Sequence, residues 1–303
     1  MNEHTHSVSG LTAALSIEAG TLYVVATPLG NLGDLSPRAR AVLTAADRIA
    51  VEDTRRSTPL LRQLGVVTRP TSLHEHNEAA QVPNLLAALA QGQSIALISD
   101  AGTPLISDPG FRLVREAQAQ GRPVRSVPGP SAPIAALSIS GLPSDQFFFA
   151  GFLPAKSSAR RARLAELTPL PATLIFFESS HRLLASLADM AAVLGAQRTG
   201  VIARELTKRF EQTHTAALGE LAGWLQADSD RQRGEFVILS SGAEPDSALN
   251  GSDQRLLRAL LTELPVKQAA RLAAHATAKP QRAFYRLALE LKQSHPSADA
   301  DNE

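Results

Sequence analysis

The stretch SIALISDAGTPLISDPG, residues 94–110, joins a short apolar run to a loop that holds two Asp, two Gly and two Pro. An apolar run this short, bounded by turn residues, reads as a strand buried on both faces. A helical pattern at 109–120 follows it. Strand, loop and helix in that order make the repeating unit of a parallel α/β sheet. The unit recurs to either side. Runs of strand character at 22–26, 49–51, 95–98 and 124–127 alternate with helical patterns at 36–46, 57–64, 79–91 and 109–120. Each predicted strand ends in a polar or Gly/Pro loop: TPLGN at 27–31, EDTR at 52–55, SDAGTP at 99–104 and PGPSA at 128–132. Open parallel sheets bind ligands at the carboxyl ends of their strands, so these four loops are the candidate site.

Past about residue 145 the texture changes. Strands are predicted at 146–152, 172–178, 199–204, 213–218 and 235–240, with helices near 158–167, 180–194 and 218–227. The expected architecture is α/β, with a parallel-sheet domain at 20–133 and a second, mixed α/β domain at 134–243. A Pro/Gly-containing linker at 244–252 leads to a helical domain at 253–292, with tails at 1–19 and 293–303. The helical segment reads as three short helices turning near Leu264-Pro265 and Ala278-Lys279-Pro280. It carries eight Lys or Arg against three acidic residues.

Composition narrows the function classes. Net charge is +1, so nucleic-acid affinity requires local basic patches. The absence of cysteine excludes disulfides and thiolate metal sites. Aromatic content of 4% argues against a sheet that stacks RNA bases on rings. No apolar run reaches the length of a membrane span, and the first twenty residues lack the basic start of a secretory signal. The expected location is the cytoplasm.

The loop at 99–110 has two carboxylates and no Lys or Arg, and no phosphate-binding glycine motif is present. Its field repels a polyphosphate. It suits a ligand with cationic groups and hydroxyls, such as S-adenosylmethionine with its sulfonium, ammonium and ribose diol. The alternative is a capped turn, with Asp108 as N-cap and Pro109 at the first helical position. Ser36-Pro37 and Ser131 carry the same two readings.

Several spaced motifs carry a resemblance: LYVVATPLGNLGDLSPRA (22–39), AVEDTRRSTPLL (50–61), LHEHNE (73–78), SDAGTPLISDPGFRLV (99–114), PGPSAPIAAL (128–137), GLPSDQFFFAGFLPAK (141–156), FFESSHRL (176–183), ARELTK (203–208) and RGEFVIL (233–239). From about residue 20 to 292 the chain resembles the RsmI family, ribosomal RNA small subunit methyltransferases within the tetrapyrrole methylase superfamily. The resemblance implies S-adenosylmethionine-dependent 2′-O-methylation of a cytidine in the decoding centre of 16S rRNA, by a homodimer with the cofactor between two α/β domains. It implies a cofactor site of Pro28, Leu29 and Gly30, then Asp100, Ala101, Gly102, Thr103, Pro104, Leu105, Ile106, Ser107 and Asp108, then Ser131 and Ala132. Relatives often have Gly-Asp-Pro where this chain has Gly102-Thr103-Pro104, so Asp100 and Asp108 are both candidates for the cofactor-facing carboxylate. Ser180 stands where a Pro is common before His-Arg.

Ribose methylation needs the acceptor oxygen positioned and its proton removed. The candidate bases are Glu52, Asp53, His74, His76, Glu178, His181, Glu205 and Lys208, with Glu178, Glu205 and Lys208 foremost. Lys208 suits a base of lowered pKa or a phosphate contact; Arg204-Glu205 could equally form a surface ion pair. No metal ligand set is identified. RNA contact is expected from His74 and His76, from Lys156, Arg160, Arg161 and Arg163, from His181 and Arg182, and from Lys267, Arg271, Lys279, Arg282 and Arg286. The last group lies in a segment resembling the family's helix-turn-helix-like terminal domain. The expected partner is 16S rRNA, in the assembled small subunit. Two rivals are a relative acting on a tetrapyrrole or other small acceptor, and a non-catalytic assembly factor.

Overall fold

The computed structural model describes residues 17–243, 249–277 and 279–293. Most of the expected N-terminal tail, the first half of the expected linker (244–248), Ala278 of the expected second helical turn and the tail from 294 lie outside them. The chain groups into two compact units, one running to Leu167 together with Thr173–Ser241, the other made of Thr168–Ala172 and the residues from Gly242 onward.

The larger unit contains two five-stranded sheets. Its strands are β1 (Leu22–Val25), β2 (Arg48–Val51), β3 (Pro70–Ser72), β4 (Ile95–Ile98), β5 (Val124–Val127), β6 (Phe147–Phe152), β7 (Thr173–Ser179), β8 (Thr199–Arg204), β9 (Gln212–Ala217) and β10 (Glu235–Ser240). Its helices are α1 (Pro37–Ala45), α2 (Thr54–Gln63), α3 (Glu78–Ala90), α4 (Phe111–Ala119), α5 (Ala132–Ser140), α6 (Ser157–Leu167), α7 (Leu183–Leu194) and α8 (Leu218–Gln226). The first sheet is wholly parallel, in the order β3-β2-β4-β1-β5. β4 is buried along its whole length because it is central and covered on both faces. Ala96 and Ile98 pack with Val25, Val51 and Leu43 on one side, and Ile95 and Leu97 pack with Leu85, Leu89 and Leu113 on the other. The alternation is the two-residue period of a strand dividing its side chains between two helical layers.

β3 has no apolar signature in the sequence. It begins with Pro70, pairs only with β2 and forms the sheet edge, the position where a strand proline is tolerated. The second sheet, β6-β7-β10-β8-β9, is mixed. β6 runs parallel to β7, while β7–β10, β10–β8 and β8–β9 are antiparallel.

The smaller unit holds α9 (Gly251–Glu263), α10 (Val266–Thr277) and α11 (Gln281–Gln293). They close on Leu257, Ala269, Ala270, Ala273, Phe284 and Ala288. Asn250 and Asp253 form a capping box at the start of α9. Lys279 places its Nζ 2.8 Å from Asp253 Oδ2, and the two side chains are only 13% and 6% exposed. Lys279 is therefore a staple of this unit and is removed from the expected RNA contacts.

Arg160 is corrected for the same reason. Its guanidinium is 4% exposed, lies 2.7 Å from Asp189 on α7, and donates to the Pro154 and Ala155 carbonyls. An Arg inside a basic helical run looks exposed in sequence, but this one points inward and locks α6 to α7. Truncating it strands a buried carboxylate. Arg160→Ala is expected to cost about 3–5 kcal/mol in urea unfolding.

Candidate functional site

The four strand-end loops are hydrogen-bonded into one rim. Thr27 and Gly102 exchange two backbone bonds of 2.9 and 3.0 Å, joining the first loop to the third. Thr103 Oγ1 donates to the Pro130 carbonyl at 2.9 Å, and the Asp53 N–H donates to Asp100 Oδ1 at 3.2 Å. Gly102 has φ +81°, and a Cβ there would sit 3.1 Å from Leu29. Only glycine meets both demands cheaply.

The loop at 99–110 is not a turn capped by Asp108. Helix α4 begins at Phe111, and its N-cap is Gly110 with φ 116°. The free N–H groups of Gly110 and Arg112 both donate to Glu78 Oε1 at 3.2 Å. A carboxylate from α3 thus serves the terminus and releases Asp108 toward the cleft. Ser131 likewise makes no side-chain capping bond to α5, whereas Ser36 does cap α1 through the Ala39 N–H at 3.0 Å. Leu105 and Ser107 hold positive φ angles of 72° and 70°, which cost about 1–2 kcal/mol each outside glycine. Backbone strain of this kind persists where a site requires it.

These loops form one wall of a cleft of about 440 Å³, and the second sheet forms the other. Leu29, Ala101, Ser107, Asp108 and Ala132 face Phe152, Phe177, Leu206 and Phe236 across it. Gly151, with φ +67°, lies at a register shift in β6, and a Cβ there would meet Ser107 Oγ at 3.1 Å. The glycine lets the two walls approach.

Five carboxylates line the cleft: Glu178 and Glu235 on the second-sheet side are ion-paired with Arg182 and Lys208, and Glu52, Asp100 and Asp108 face it from the loop side. Burial, then the charge of Asp100, pushes Glu52 above the usual carboxylate range. Burial raises Asp108 to about 6, with Glu52 and Asp100 adding to the shift against a hydrogen bond from Ser99. The cleft is short of positive charge. Among the described lining residues its one cation is Arg56, whose NH1 lies 2.9 Å from Asp100 Oδ2 while the side chain stays mostly exposed. A ligand bearing cationic groups would relieve the mutual repulsion, and the apolar residues opposite offer a face for a flat ring. The residues therefore fit S-adenosylmethionine. Arg56, Phe152 and Phe177 were not singled out from the sequence, since an Arg beside another Arg and a Phe within a strand read as surface and core.

The structure revises the catalytic candidates. Glu178 is 3% exposed. Arg182 grips it at 2.9 and 3.1 Å, and Ser186 and the Ser179 N–H also donate to it. Burial opposes its ionisation, but these bonds outweigh burial and hold its carboxyl below the usual range. A proton acceptor this fully engaged has no free lone pair to offer, so Glu178 is a structural anion. Arg182 is consumed with it, since it also donates to the Leu153 carbonyl at 2.7 Å.

Lys208 Nζ bonds Glu205 Oε1 and Glu235 Oε2, each at 2.9 Å. Burial pulls its pKa down, yet the two carboxylates outweigh it and raise the pKa. The expectation of a lowered lysine is overturned. Lys208 also packs over Gly30, where a Cβ would lie 2.3 Å from its Cγ. Glu205, with φ 51°, accepts from the Glu235 N–H at 3.0 Å, and its bonds to Lys208 and Glu235 outweigh burial and lower its pKa. This ion-paired knot holds the RELTK turn against the first loop.

Lys156, Arg161, His181, His76, Lys267, Arg271, Arg282 and Arg286 are exposed, as contact with a polyanion requires. Arg163 is half-buried and bonds Glu166 at 2.7 Å. His74 is half-buried, and its ring lies edge-on to His76 with centroids 6.0 Å apart.

Comparisons with known proteins agree with this geometry. Residues 21–222 match the tetrapyrrole (corrin/porphyrin) methylases, and residues 247–292 match the RsmI C-terminal HTH domain. The chain is 51% identical over 277 residues to the ribosomal RNA small subunit methyltransferase I of Pseudomonas aeruginosa, covering 90% of this chain and 98% of the relative. It is 50% identical over 272 residues to the protein of that name from Escherichia coli O157:H7, covering 89% and 95%. Among solved structures it resembles the methyltransferase CobJ, with a TM-score of 0.56 at 19% identity over 74% of this chain and 95% of that one. A uroporphyrin-III-C-methyltransferase from Thermus thermophilus gives a TM-score of 0.53 at 19% identity, over 73% and 94%.

The raised Asp108 has a consequence for stability. Its folded pKa of about 6 exceeds the ordinary 3.8, so the folded protein binds the proton more tightly than the unfolded chain. The contribution is full below pH 4 and is lost as pH rises through 6. Asp108→Asn is expected to flatten the pH dependence of Tm between 4 and 7 and to raise Tm at pH 8, while weakening cofactor affinity. Thermal melts and calorimetric titrations with adenosylhomocysteine check both.

Proposed function

The chain belongs to the family of ribosomal RNA small subunit methyltransferases I within the tetrapyrrole methylases, and from that membership we propose that it methylates the 2′-hydroxyl of a cytidine in the decoding centre of 16S rRNA, using S-adenosylmethionine. The observation that carries the cofactor assignment is the cleft whose loop wall sets Asp100 and the raised Asp108 side by side, rimmed by the laced loops. When bound, the cofactor supplies an electrophilic methyl group on a sulfonium that is already an activated leaving group.

The protein's own work is positioning. Asp100, fixed by Arg56 and the Asp53 N–H, and Asp108, freed by Glu78, would meet the cationic groups. Gly102 lets the backbone approach closely. Pro28, Leu29 and Gly30 in the first loop, Ala101 and Thr103 to Ser107 in the third, and Ser131 with Ala132 in the fourth complete the proposed cradle. Phe152 and Phe177 would shield the reacting carbon from water.

We assign the acceptor as rRNA on the family membership and on charge. Lys267, Arg271, Arg282 and Arg286 are exposed on α10 and α11 of the terminal unit, where Lys279 is instead paired with Asp253. Lys156 and Arg161 form a second exposed group. The substrate is proposed to be the assembled small subunit, the site of action the cytoplasm, and the active form a homodimer. Exposed Ile134, Ile139, Phe147 and Phe148 support self-association. No helix among the described residues is long and apolar enough to cross a membrane.

Tritium transfer from labelled cofactor to small subunits lacking the modification tests the reading. Label at one cytidine, resistant to alkaline cleavage and lost in Asp100→Ala, is expected. Transfer to a small acceptor instead would favour the tetrapyrrole-type relative. Replacing Arg271 and Arg282 by Glu is expected to weaken subunit binding and to reduce the slope of log K against log salt by about one per lost phosphate contact, with cofactor affinity unchanged.

A further inference from the structure

Beside the cofactor cleft lies a second groove of about 410 Å³, lined by Glu52, Asp53, Arg55, Arg56, Ser72, His74 and Asp100. Glu52, Arg56 and Asp100 line both spaces, so a side chain on this shared wall faces whatever occupies either. Glu52 follows directly on β2, and its carbonyl accepts from Ser72 Oγ at 3.2 Å, which pins the backbone to edge strand β3.

Among the described residues, the other carboxylates lining the two spaces, Asp108 apart, are each met by a side-chain donor. Asp53 has Arg55 at 2.7 Å, Asp100 has Arg56 at 2.9 Å, and Glu235 has Lys208 at 2.9 Å. Glu178 has Arg182 and Ser186, while Asp108 lines the cofactor cleft but not the second groove. Glu52 has no such donor. It is half-buried on the wall between a cofactor-sized cleft and an open groove whose rim offers an exposed guanidinium, Arg55, and a half-buried imidazole, His74.

We propose that Glu52 is the catalytic base and that the acceptor nucleotide lies in this second groove. The inference rests on the function proposed above. The acceptor 2′-oxygen forms the new bond to the methyl carbon as the carbon–sulfur bond breaks, its electron pair passing to sulfur and cancelling the sulfonium charge. The hydroxyl proton passes to the Glu52 carboxylate, and from there to solvent through the open groove. Burial and the neighbouring Asp100 raise the proton affinity of Glu52, which suits it to accept that proton. Arg55 and His74 would hold the phosphate and sugar on the solvent side, aiming the hydroxyl at the shared wall.

The test uses the full-length protein with Glu52→Gln and Glu52→Asp, assembled small subunits as acceptor, and three readouts. Glutamine keeps the shape and removes the base. Calorimetric affinity of Glu52→Gln for the subunit is expected within about twofold of wild type, and affinity for adenosylhomocysteine, which lacks the sulfonium charge, to weaken far less than single-turnover transfer at saturating cofactor, which falls by roughly 10²–10⁴. The wild-type rate is expected to decline as pH falls through the Glu52 pKa, and Glu52→Gln is expected to be slow and flat over that range. Glu52→Asp should recover part of the rate, with the acid limb restored. A Glu52→Gln variant with the wild-type rate and pH profile overturns the proposal. So does a loss confined to cofactor affinity, which would make Glu52 a cofactor ligand. Wild type that binds cofactor yet methylates no rRNA overturns the functional reading itself, and that result is separate from both.

Discussion

Two backbone hydrogen bonds between Thr27 and Gly102 hold the site together. They bridge the loops after β1 and β4, adjacent parallel strands whose ends would otherwise diverge with the sheet twist. Once that bridge is made, Thr103 reaches Pro130 and the loop after β5 is drawn in. Asp100 receives the Asp53 N–H, and the loop after β2 follows. The positive φ of Gly102 is the condition for the whole arrangement. A side chain there would meet strain and Leu29 together.

The rim is useful because charge within it is left unbalanced. Glu78 takes over the helix N-terminus that a nearer carboxylate would ordinarily serve, so Asp108 faces the cleft with little to neutralise it. Arg56 answers Asp100 but remains largely in solvent. The result is an anionic, half-apolar space, unfavourable when empty and relieved by a cationic guest. On the opposite wall every cation has been neutralised at short range: Lys208 by Glu205 and Glu235, Arg182 by Glu178. The second sheet therefore adds shape and apolar surface without cancelling the field of the first.

The same pairing logic separates scaffold from contact surface. Arg160 and Lys279 are basic residues in basic runs, yet both are buried against single carboxylates and serve packing. Arg271, Arg282 and Arg286 are neighbours of similar appearance in sequence that remain exposed. Burial of an ion pair is costly to break and contributes little to polyanion affinity, so the two groups play different physical parts.

The alternation of apolar runs with helical spacing was enough to place nine of the ten strands and the three terminal helices, because burial on a face imposes its period on the chain. The four Gly/Pro/Asp loops were legible as one site because parallel strands put their carboxyl ends together. Edge strand β3 was not legible: three residues starting in proline carry no period. Side-chain pairing was not legible either. That Glu78 caps α4, that Glu235 helps to raise Lys208, and that Glu52 lines both spaces with no side-chain donor among the described residues depend on residues brought together from distant parts of the chain. Even the silencing of Glu178 by Arg182 and Ser186, four and eight residues on, needs the strand-to-helix turn that aims them. Local sequence sets which conformations a segment can adopt, but the protonation and reach of a charged group depend on its spatial neighbours, and only the tertiary structure chooses those.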